Sequence, residues 1–479
     1  MPTIPITNPV FGGIADSLYL GAENSLHKIV GFDLHSEPGL IKVQQKLKKD
    51  SGNVIDEFVK TILPCTNGEV YFFSATSGKI WGKTSAGVYS LRYTCPTDGD
   101  GAYCLGGAEF NGYVYWANPV SLNRIRIADA LAATWIAAAN FANLQVDTIT
   151  HPFKILNECL YIGGDGKVSS ISIDSGGTHV FELDDLVTNF GEVHCFGNVD
   201  TNLLVGYYMG AYGSKQARLI NWNTWSNGYT DDKNCPETGV NCLIPTETYG
   251  LAHCGARGNL YAYDGSKFKI KKRIPGIWGL TDQTTVHNNA AVNDGGIARF
   301  GLSAISGAPA DCGIYGFGSH SISYNPILTF DFAISTGNMA SVEIGAIALE
   351  GTQMYVSWKD STDPLNIQYG VDVIDVANKY DGAYFDTRII NIERGKAKDF
   401  DFGVYYRTLP ANCDIEIYAS VNGVAYGSTP LLSVNDTVNN CKSVKTRICK
   451  ANTIQFRVKA RTSGNTAPEI ESAEISYGE

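Results

Sequence analysis

A short unit, a turn followed by an apolar strand with a tyrosine near its centre, recurs along most of the chain. Its clearest copy is Asn67-Gly-Glu-Val-Tyr71-Phe-Phe, and weaker copies surround Leu20 and Leu204. Closely related copies place their tyrosine at Tyr115, Tyr161, Tyr261, Tyr315 and Tyr355. Successive copies lie about 40 to 56 residues apart, which is the period of a β-propeller blade made of several short strands. The sequence therefore predicts a propeller in which these tyrosines occupy equivalent positions, each with its ring buried between blades.

The composition agrees with a β-rich chain and limits its partners. The 479 residues include 51 Gly, 26 Tyr and 20 Phe, and only 18% are charged, a combination typical of half-buried strands and tight turns. The net charge of −11 would repel a phosphate backbone, so we do not expect nucleic acid as a partner. No apolar run approaches the length of a membrane span, and the N-terminus lacks a basic segment followed by an apolar one, so we expect neither a membrane span nor an export signal.

The repeats divide the first 380 residues into an arm and a propeller. Residues 1–16 are rich in proline and glycine and predict an irregular N-terminal arm. Residues 17–380 predict the propeller, with seven complete blades from about Glu57 to Asp375. Residues 17–49 form an incomplete unit that we expect to close the ring by donating strands. Counted as a blade of its own, this unit would make eight blades, which is the alternative. Its predicted strands are Leu18 to Leu20, His27 to Leu34 and Leu40 to Gln45.

The pattern changes near Tyr380, and residues 381–479 lack the tyrosine unit. They contain alternating strands with turn sequences at Asn422-Gly423 and Gly464-Asn465, which predict a separate C-terminal β-sandwich. The predicted strands run over 383–392, 400–407, 413–421, 443–449, 453–460 and 470–477. The predicted fold class is therefore all-β, with a seven-bladed or alternatively eight-bladed propeller followed by a sandwich.

Two segments depart from the blade pattern. Residues 128–144 are Ala-rich enough for a helix, but they lie where a fourth strand is expected, so we interpret them as an elaborated outer edge. Residues 223–248 form a polar insertion between two units, which predicts a loop on a face or rim of the propeller.

No motif in the sequence predicts catalysis. The eight histidines show no metal-ligand spacing, and no nucleophile elbow or phosphate-binding loop is present. We therefore expect no enzyme activity, no catalytic residue, no metal site and no cofactor. Asp98 with Asp100, and Asp231 with Asp232, could supply oxygen ligands to a hard cation, although such sequences commonly form plain turns.

Two further patterns are structural in character. The segment from Ser74 to Trp81 resembles the Asp-box hairpin of sialidase-type propellers, with Thr76 in place of the aspartate, and that resemblance implies only a hairpin. The twelve cysteines are expected as reduced thiols because no export signal is present. Three pairs are close enough in sequence to close short loops under oxidation: Cys95 with Cys104, Cys235 with Cys242, and Cys441 with Cys449.

Both ends of the chain resemble proteins of tailed bacteriophages. Gly12-Gly-Ile-Ala-Asp16-Ser17, with the stretch from Val30 to Val43 and Lys49-Asp-Ser-Gly52, resembles the start of phage-encoded propeller proteins. The end, Gly464-Asn-Thr-Ala-Pro468 through Tyr477, is similar to the closing strand of β-sandwiches appended to phage tail proteins. The resemblance covers roughly the first 50 and last 95 residues and includes no catalytic motif.

That resemblance implies a virion structural protein, assembled in the host cytoplasm and placed in the tail as a ring, hub or fibre-anchoring adaptor. Its partners would be other tail or capsid proteins and further copies of the same chain in a symmetric ring. The alternative is a carbohydrate-binding propeller, either a receptor-binding lectin or a glycosidase. In that case Trp222 and Trp225 would stack on the sugar rings of host surface glycans.

Overall fold

A computed structural model describes residues 3–6, 12–15, 24–37, 39–95, 104, 106–118, 121–127, 131–136, 150–209, 217–274, 283–306, 311–319, 325–391, 398–435, 437 and 443–477. All regular elements in these ranges are β-strands, which confirms the all-β prediction. No helix that could span a membrane occurs in the same ranges.

Between Val59 and Lys379 the strands form successive antiparallel meanders, in which each strand pairs with the next along the chain. We name the meanders sheets A to G. Such a series of four-stranded meanders is the architecture of a β-propeller. Sheet A contains Val59–Pro64, Val70–Ser74, Lys79–Lys83 and Tyr89–Thr94; sheet B, Gly106–Phe110, Tyr113–Ala117, Leu122–Arg126 and Leu131–Ile136; sheet C, Phe153–Leu156, Cys159–Gly163, Asp165–Ile173 and the first half of His179–Val199; and sheet D, the second half of His179–Val199, then Asn202–Tyr208, Arg218–Trp222 and Asp231–Asn234.

The remaining meanders follow the same order with two departures. The first strand of sheet F is split in two, and the fourth strand of sheet G comes from the N-terminal part of the chain. Sheet E contains Val240–Ile244, Gly250–Cys254, Asn259–Tyr263 and Phe268–Arg273; sheet F, Gln283–Thr285 and Ala291–Asp294, both paired with Ile297–Ser306, then Gly313–Gly318 and Ile327–Phe332; and sheet G, Val342–Glu350, Gln353–Asp360, Gln368–Lys379 and Gln45–Lys49.

Apolar side chains fill the spaces between consecutive sheets. Tyr71 packs with Trp116 between sheets A and B, and Tyr161 packs with Trp222 between sheets C and D. Corresponding clusters lie between sheets B and C and between sheets D and E. Since each meander is too thin to bury both of its faces alone, each depends on the next for its core.

Sheet G also packs against sheet A. Val59 and Phe72 of sheet A share an apolar cluster with Tyr355 of sheet G, and the Ser357 hydroxyl donates a hydrogen bond of 2.7 Å to the Val59 carbonyl. The approach is so close that a Cβ atom on Gly345 would lie 2.0 Å from that carbonyl oxygen. The last sheet of the series therefore lies directly beside the first.

The tyrosines that define the sequence repeat are all buried, as predicted. Tyr71, Tyr115, Tyr161 and Tyr355 lie on the second strands of their sheets. Their predicted equivalence with Tyr261 and Tyr315 is wrong, because these two lie on third strands. The turn before a third strand can carry the same sequence as the turn before a second strand. The pattern therefore does not tell whether the strand that follows is the second or the third of its sheet.

The two sheets formed with the C-terminal residues contribute side chains to the same apolar cluster, which also contains residues of sheets E, F and G. The Phe402 and Phe456 rings, one from each sheet, stack at 4.3 Å. Residues 383–477 follow the predicted strands closely, with one addition at Leu432–Val434. The first sheet contains Lys28–Val30, Ala383–Asp386, Thr453–Arg461, Asp414–Val421 and Leu432–Val434, with Ile390–Asn391 beside Thr453–Arg461; the second contains Phe32–Asp33, Ile41–Val43, Glu469–Tyr477, Lys398–Tyr406 and Ser443–Ala451, with Thr3–Ile6 beside Glu469–Tyr477.

The N-terminal strands therefore serve two parts of the structure. Gln45–Lys49 pairs with Gln368–Lys379 in sheet G, whereas Lys28–Val30 and Ile41–Val43 pair with C-terminal strands. Lys28–Val30 also touches sheet F through a parallel bridge from Val30 to Phe330, which joins that sheet to a C-terminal one. The strand predicted over Leu18 to Leu20 lies outside the described residues.

Two predictions about irregular segments need correction, and a third agrees with the structure. The arm of residues 1–16 is not wholly irregular, because Thr3–Ile6 pairs with Glu469–Tyr477 as an edge strand, a position that tolerates Pro5. The insertion of residues 223–248 contains the strands Asp231–Asn234 and Val240–Ile244; charged and amide side chains hid the strand pattern there. In the Ala-rich stretch, Leu131–Ile136 is the fourth strand of sheet B, as expected for an outer edge, and residues 128–130 and 137–144 lie outside the described residues.

Candidate functional site

The split in the first strand of sheet F marks the site. Gln283–Thr285 and Ala291–Asp294 both pair with Ile297–Ser306, and the five residues between them, Val286–Ala290, leave the ladder. We call this segment the axial loop. The loop holds its own shape through hydrogen bonds from the Ala290 amide to the His287 carbonyl and from the Gly301 amide to the Ala290 carbonyl, each 2.8 Å.

Asn289 bonds the axial loop to sheets A and G. Its side-chain amide donates to the Lys60 carbonyl at 3.1 Å and to the Thr61 hydroxyl at 2.9 Å, both on the first strand of sheet A. Its backbone carbonyl accepts from the Ile347 amide of sheet G at 3.0 Å. Sheet G stands between sheets F and A when the series is followed from G back to A. Asn289 of sheet F therefore bonds to a sheet that is not its immediate neighbour.

Asn288 bonds the axial loop to sheet E and to the entrance of sheet C. Its side-chain amide donates to the Thr150 hydroxyl, just before the first strand of sheet C, at 3.0 Å. Its carbonyl oxygen accepts a hydrogen bond from the Cys242 thiol of sheet E at 3.7 Å. Together, the two asparagines link sheet F to residues of sheets A, E and G and to the entrance of sheet C. The loop thus joins four of the seven meanders and the entrance of a fifth.

Charged side chains gather beside the loop. The Glu343 carboxylate accepts from the Lys359 ammonium at 2.7 Å and lies 3.8 Å from the Nε2 atom of His287. Burial raises the pKa of Glu343, but the nearby His287 side chain and the hydrogen bond from Lys359 outweigh burial and lower the pKa to about 2. Burial lowers the pKa of Lys60, whose ammonium lies 5.9 Å from the centre of the Phe58 ring.

The imidazoles beside the loop are neutral at physiological pH. Burial, with smaller contributions of the same sign from the nearby His287 and Lys60, lowers the pKa of His194 to about 4. Burial also lowers the pKa of His287, although Glu343 opposes that change. General acid–base catalysis near neutral pH needs a group with a pKa close to the working pH. The pKa values of His194 and Glu343, about 4 and about 2, lie far from that range.

The structure separates the two tryptophans proposed for sugar stacking. Trp222 is buried, with its ring 5.6 Å from that of Tyr161, and its indole nitrogen donates to the Ser226 carbonyl at 2.6 Å. The prediction that Trp222 is exposed is therefore wrong. Trp225 is 83% exposed, on a loop whose turn is fixed by a 3.1 Å hydrogen bond from its amide to the Asn223 side chain.

The proposed cation ligands in sheet D serve other bonds. Asp231 accepts from the Lys233 ammonium at 2.7 Å and from the Tyr263 hydroxyl at 2.9 Å. Asp232 accepts from the Arg218 guanidinium at 2.6 Å. As consecutive strand residues, the two aspartates point to opposite faces of the sheet and do not converge. Asp98 and Asp100 lie outside the described residues, and within the described ranges no cluster of three or more His, Cys, Asp and Glu could hold a metal.

The hairpin that resembles an Asp-box joins the second and third strands of sheet A. The Ser74 hydroxyl accepts from the amides of Thr76 and Ser77 at 3.1 and 3.2 Å. Ser74 therefore fixes this turn, which explains why a threonine is tolerated at the aspartate position.

The structure bears on two of the three proposed cysteine pairs, and it contradicts one of them. The sulfur atoms of Cys95 and Cys104 lie 3.6 Å apart. Cys235 hydrogen-bonds with Cys254, which lowers the pKa of Cys235 against the effect of burial. The proposed pairing of Cys235 with Cys242 is wrong, because Cys235 follows the last strand of sheet D whereas Cys242 lies in the first strand of sheet E, where its thiol donates to the Asn288 carbonyl. Cys441 lies outside the described residues.

The axial loop was missed from the sequence. One signal was present: the polar run His287-Asn288-Asn289 stands between Val286 and Ala290, at a position where a blade needs an uninterrupted inner strand. A polar run of this kind inside an expected strand indicates that its side chains bond elsewhere.

No family model matches the chain, and no curated protein matches it. Among solved structures, it is similar to the extracellular domain of the putative hybrid two component system BT4673 from B. thetaiotaomicron, with 13% identity, a TM-score of 0.46, and coverage of 77% of this chain and 43% of that one. The chain thus spans less than half of that structure. It is also similar to the Myceliophteria_thermophila Cps50 (Swd1) beta-propeller domain, with 7% identity, a TM-score of 0.45, and coverage of 68% and 98%.

Proposed function

We infer that sheets A to G are the blades of a seven-bladed propeller and that the two C-terminal sheets form a β-sandwich. The contact of sheet G with sheet A supports a ring, and Gln45–Lys49 would close it as the outer strand of the last blade. Stacking of Phe402 on Phe456 supports the sandwich. Eight blades are disfavoured because Lys28–Val30 and Ile41–Val43 pair with C-terminal strands.

We propose that the protein is a non-catalytic structural component of a phage particle, placed in the tail as a ring, hub or fibre-anchoring adaptor. The axial loop carries the non-catalytic part of this proposal. Propeller blades surround a central channel, and here Asn288 and Asn289 occupy that region with bonds to other sheets. Partners would then bind the outer surface of the propeller, through protein–protein interfaces.

The assignment to a phage particle rests on the resemblance at both ends of the chain. The same ends are tied into the fold: Thr3–Ile6 and Ile41–Val43 both pair with Glu469–Tyr477. Edge strands held in this way leave fewer open ladders for unwanted pairing. Because the strands at both ends of the chain are paired, the protein would keep its shape within a symmetric assembly of copies and other virion proteins.

Purified particles provide the test. Mass spectrometry should find the protein at a fixed copy number per virion, and averaged images should show a disc-shaped body with an attached lobe in a symmetric tail substructure. Absence from virions, or presence only as a soluble monomer in the lysate, would contradict the proposal.

Trp225 supports a second candidate, a carbohydrate-binding propeller. An exposed indole on a fixed turn can stack on a sugar ring. A glycan array combined with a hydrolysis assay separates the candidates, with Trp225→Ala beside the unmodified protein. Binding that is lost in Trp225→Ala, without turnover, would assign receptor recognition. Turnover of any glycan would refute the non-catalytic proposal.

A further inference from the structure

Two cysteines meet where sheet A passes into sheet B. Cys95 directly follows the last strand of sheet A, and Cys104 lies just before the first strand of sheet B. Their side chains are only 1% and 2% exposed, and their sulfur atoms are 3.6 Å apart. Thiols at this separation are in van der Waals contact. A disulfide needs a sulfur separation of about 2.05 Å, so a shift of about 1.5 Å would form the bond.

The surroundings distinguish the two sulfur atoms. The Trp116 indole nitrogen donates a hydrogen bond of 3.0 Å to the Cys95 sulfur. Such a donor favours negative charge on its acceptor. The thiol of Cys104 lies 3.9 Å from the Gly78 carbonyl, which cannot stabilise a thiolate. Cys95 is therefore the better nucleophile of the pair.

We propose that Cys95 and Cys104 form a disulfide when the folded protein meets a disulfide oxidant such as oxidised glutathione. The Cys95 thiolate attacks one glutathione sulfur and releases a glutathione thiolate. The Cys104 sulfur, after losing its proton to solvent, attacks the Cys95 sulfur of the mixed disulfide and releases the second glutathione. One protein disulfide forms and one glutathione disulfide is reduced to two glutathione thiols, which take up the two protons that the cysteines lose. This proposal is independent of the proposed function.

The bond would join the outer strand of one meander to the inner strand of the next. A cross-link of this kind restricts the unfolded chain and raises the unfolding temperature. Both sulfur atoms belong to the apolar cluster between sheets A and B, so oxidation requires brief opening of that cluster. We expect slow formation in the native protein and faster formation in mild denaturant.

Peptide mapping gives a direct test. After incubation with oxidised glutathione, free thiols are blocked with iodoacetamide and the protein is digested. The tryptic peptide that follows Arg92 and ends at Arg124 contains both cysteines and no other basic residue. We expect this peptide to carry no carbamidomethyl group and to be about 2 Da lighter than its reduced form. Chymotryptic cleavage after Tyr103 should yield two peptides that separate only on reduction.

Two variants control the assignment. Cys65 lies in the same apolar cluster, so Cys65→Ser should leave the linked peptide unchanged. Cys104→Ser should abolish it, together with the rise in unfolding temperature on oxidation. If Cys104→Ser fails to fold, the map of the unmodified protein still decides. Two alkylated cysteines in the native protein after prolonged oxidation, or a link from Cys95 to Cys65, would overturn the proposal.

Discussion

Two arginine–aspartate pairs in the C-terminal sheets have matching geometry and different exposure. Arg457 donates to both carboxylate oxygens of Asp386 at 2.6 and 2.8 Å, and Arg447 donates to both oxygens of Asp401 at 2.7 and 2.8 Å. The side chains of the first pair are 27% and 4% exposed, and those of the second are 56% and 28% exposed. Burial is therefore the main difference between them.

We expect Asp386→Asn to be much more destabilising than Asp401→Asn. Breaking a buried pair leaves an uncompensated charge and costs about 3 kcal/mol or more, and we take about 2 to 3 kcal/mol here because Arg457 is partly exposed. The Arg457 guanidinium also lies 4.1 Å from the centre of the Tyr384 ring, a contact that survives the substitution. An exposed pair contributes less than about 1 kcal/mol.

Urea denaturation at neutral pH, followed by tryptophan fluorescence, measures both free energies of unfolding. A second series in about 1 M salt should reduce the small effect of Asp401→Asn, because salt screens exposed charges, and should leave most of the Asp386→Asn effect. Equal losses of stability in the two variants, or a larger loss in Asp401→Asn, would refute the argument from burial.

Three other predictions concern the proposed ring. Leu47 in the closing strand is 4% exposed and Leu91 in an outer strand is 47% exposed, so urea denaturation should show a loss of about 3 kcal/mol for Leu47→Ala and under about 1 kcal/mol for Leu91→Ala. Asn289→Ala removes two hydrogen bonds of the axial loop and should cost about 2 kcal/mol, whereas Asn366→Ala removes one exposed bond and should be nearly neutral; equal effects would contradict a central role for the loop. As the pH is lowered from 6.5 to about 4, the free energy of unfolding should decrease, because the unfolded chain binds protons that the folded histidines do not. For three histidines the decrease is up to about 4 kcal/mol per pH unit; constant stability from pH 7 to 5 would contradict this. The histidines with the lowest pKa values, about 4, 4 and 3, are His151, His194 and His253.

The repeat identified the sheets because it reflects local physics. An apolar strand with tyrosine after a Gly or Asn turn must lie in a half-buried antiparallel sheet, and all six tyrosines are buried accordingly. Assignment to the second or third strand depends on which neighbour pairs with which, and that information is absent from a single hairpin. Tyr261 and Tyr315 were misplaced for this reason.

The candidate site was less predictable because its bonds span great distances along the chain. Asn289 bonds to residues 228 and 229 positions away, and no local pattern encodes such a contact. The cysteines follow the same rule. Cys95 and Cys104 are close in sequence and meet, whereas Cys235, which follows the last strand of sheet D, meets Cys254 of sheet E rather than Cys242, which is nearer in sequence. Short loops are visible in a sequence, and contacts between sheets are not.

The N-terminal segment also changes how the chain divides into parts. A boundary near residue 380 follows the sequence pattern, but Ile41–Val43 pairs with Glu469–Tyr477 and Gln45–Lys49 pairs with Gln368–Lys379. Only Gln44 separates these two strands, and its amide and carbonyl bond to Gly31 and Tyr380. Removing the C-terminal sheets would therefore expose strands that lead directly into sheet G. The proposed closing strand of the ring is held in place by the part of the chain that the sequence pattern would assign to a separate module.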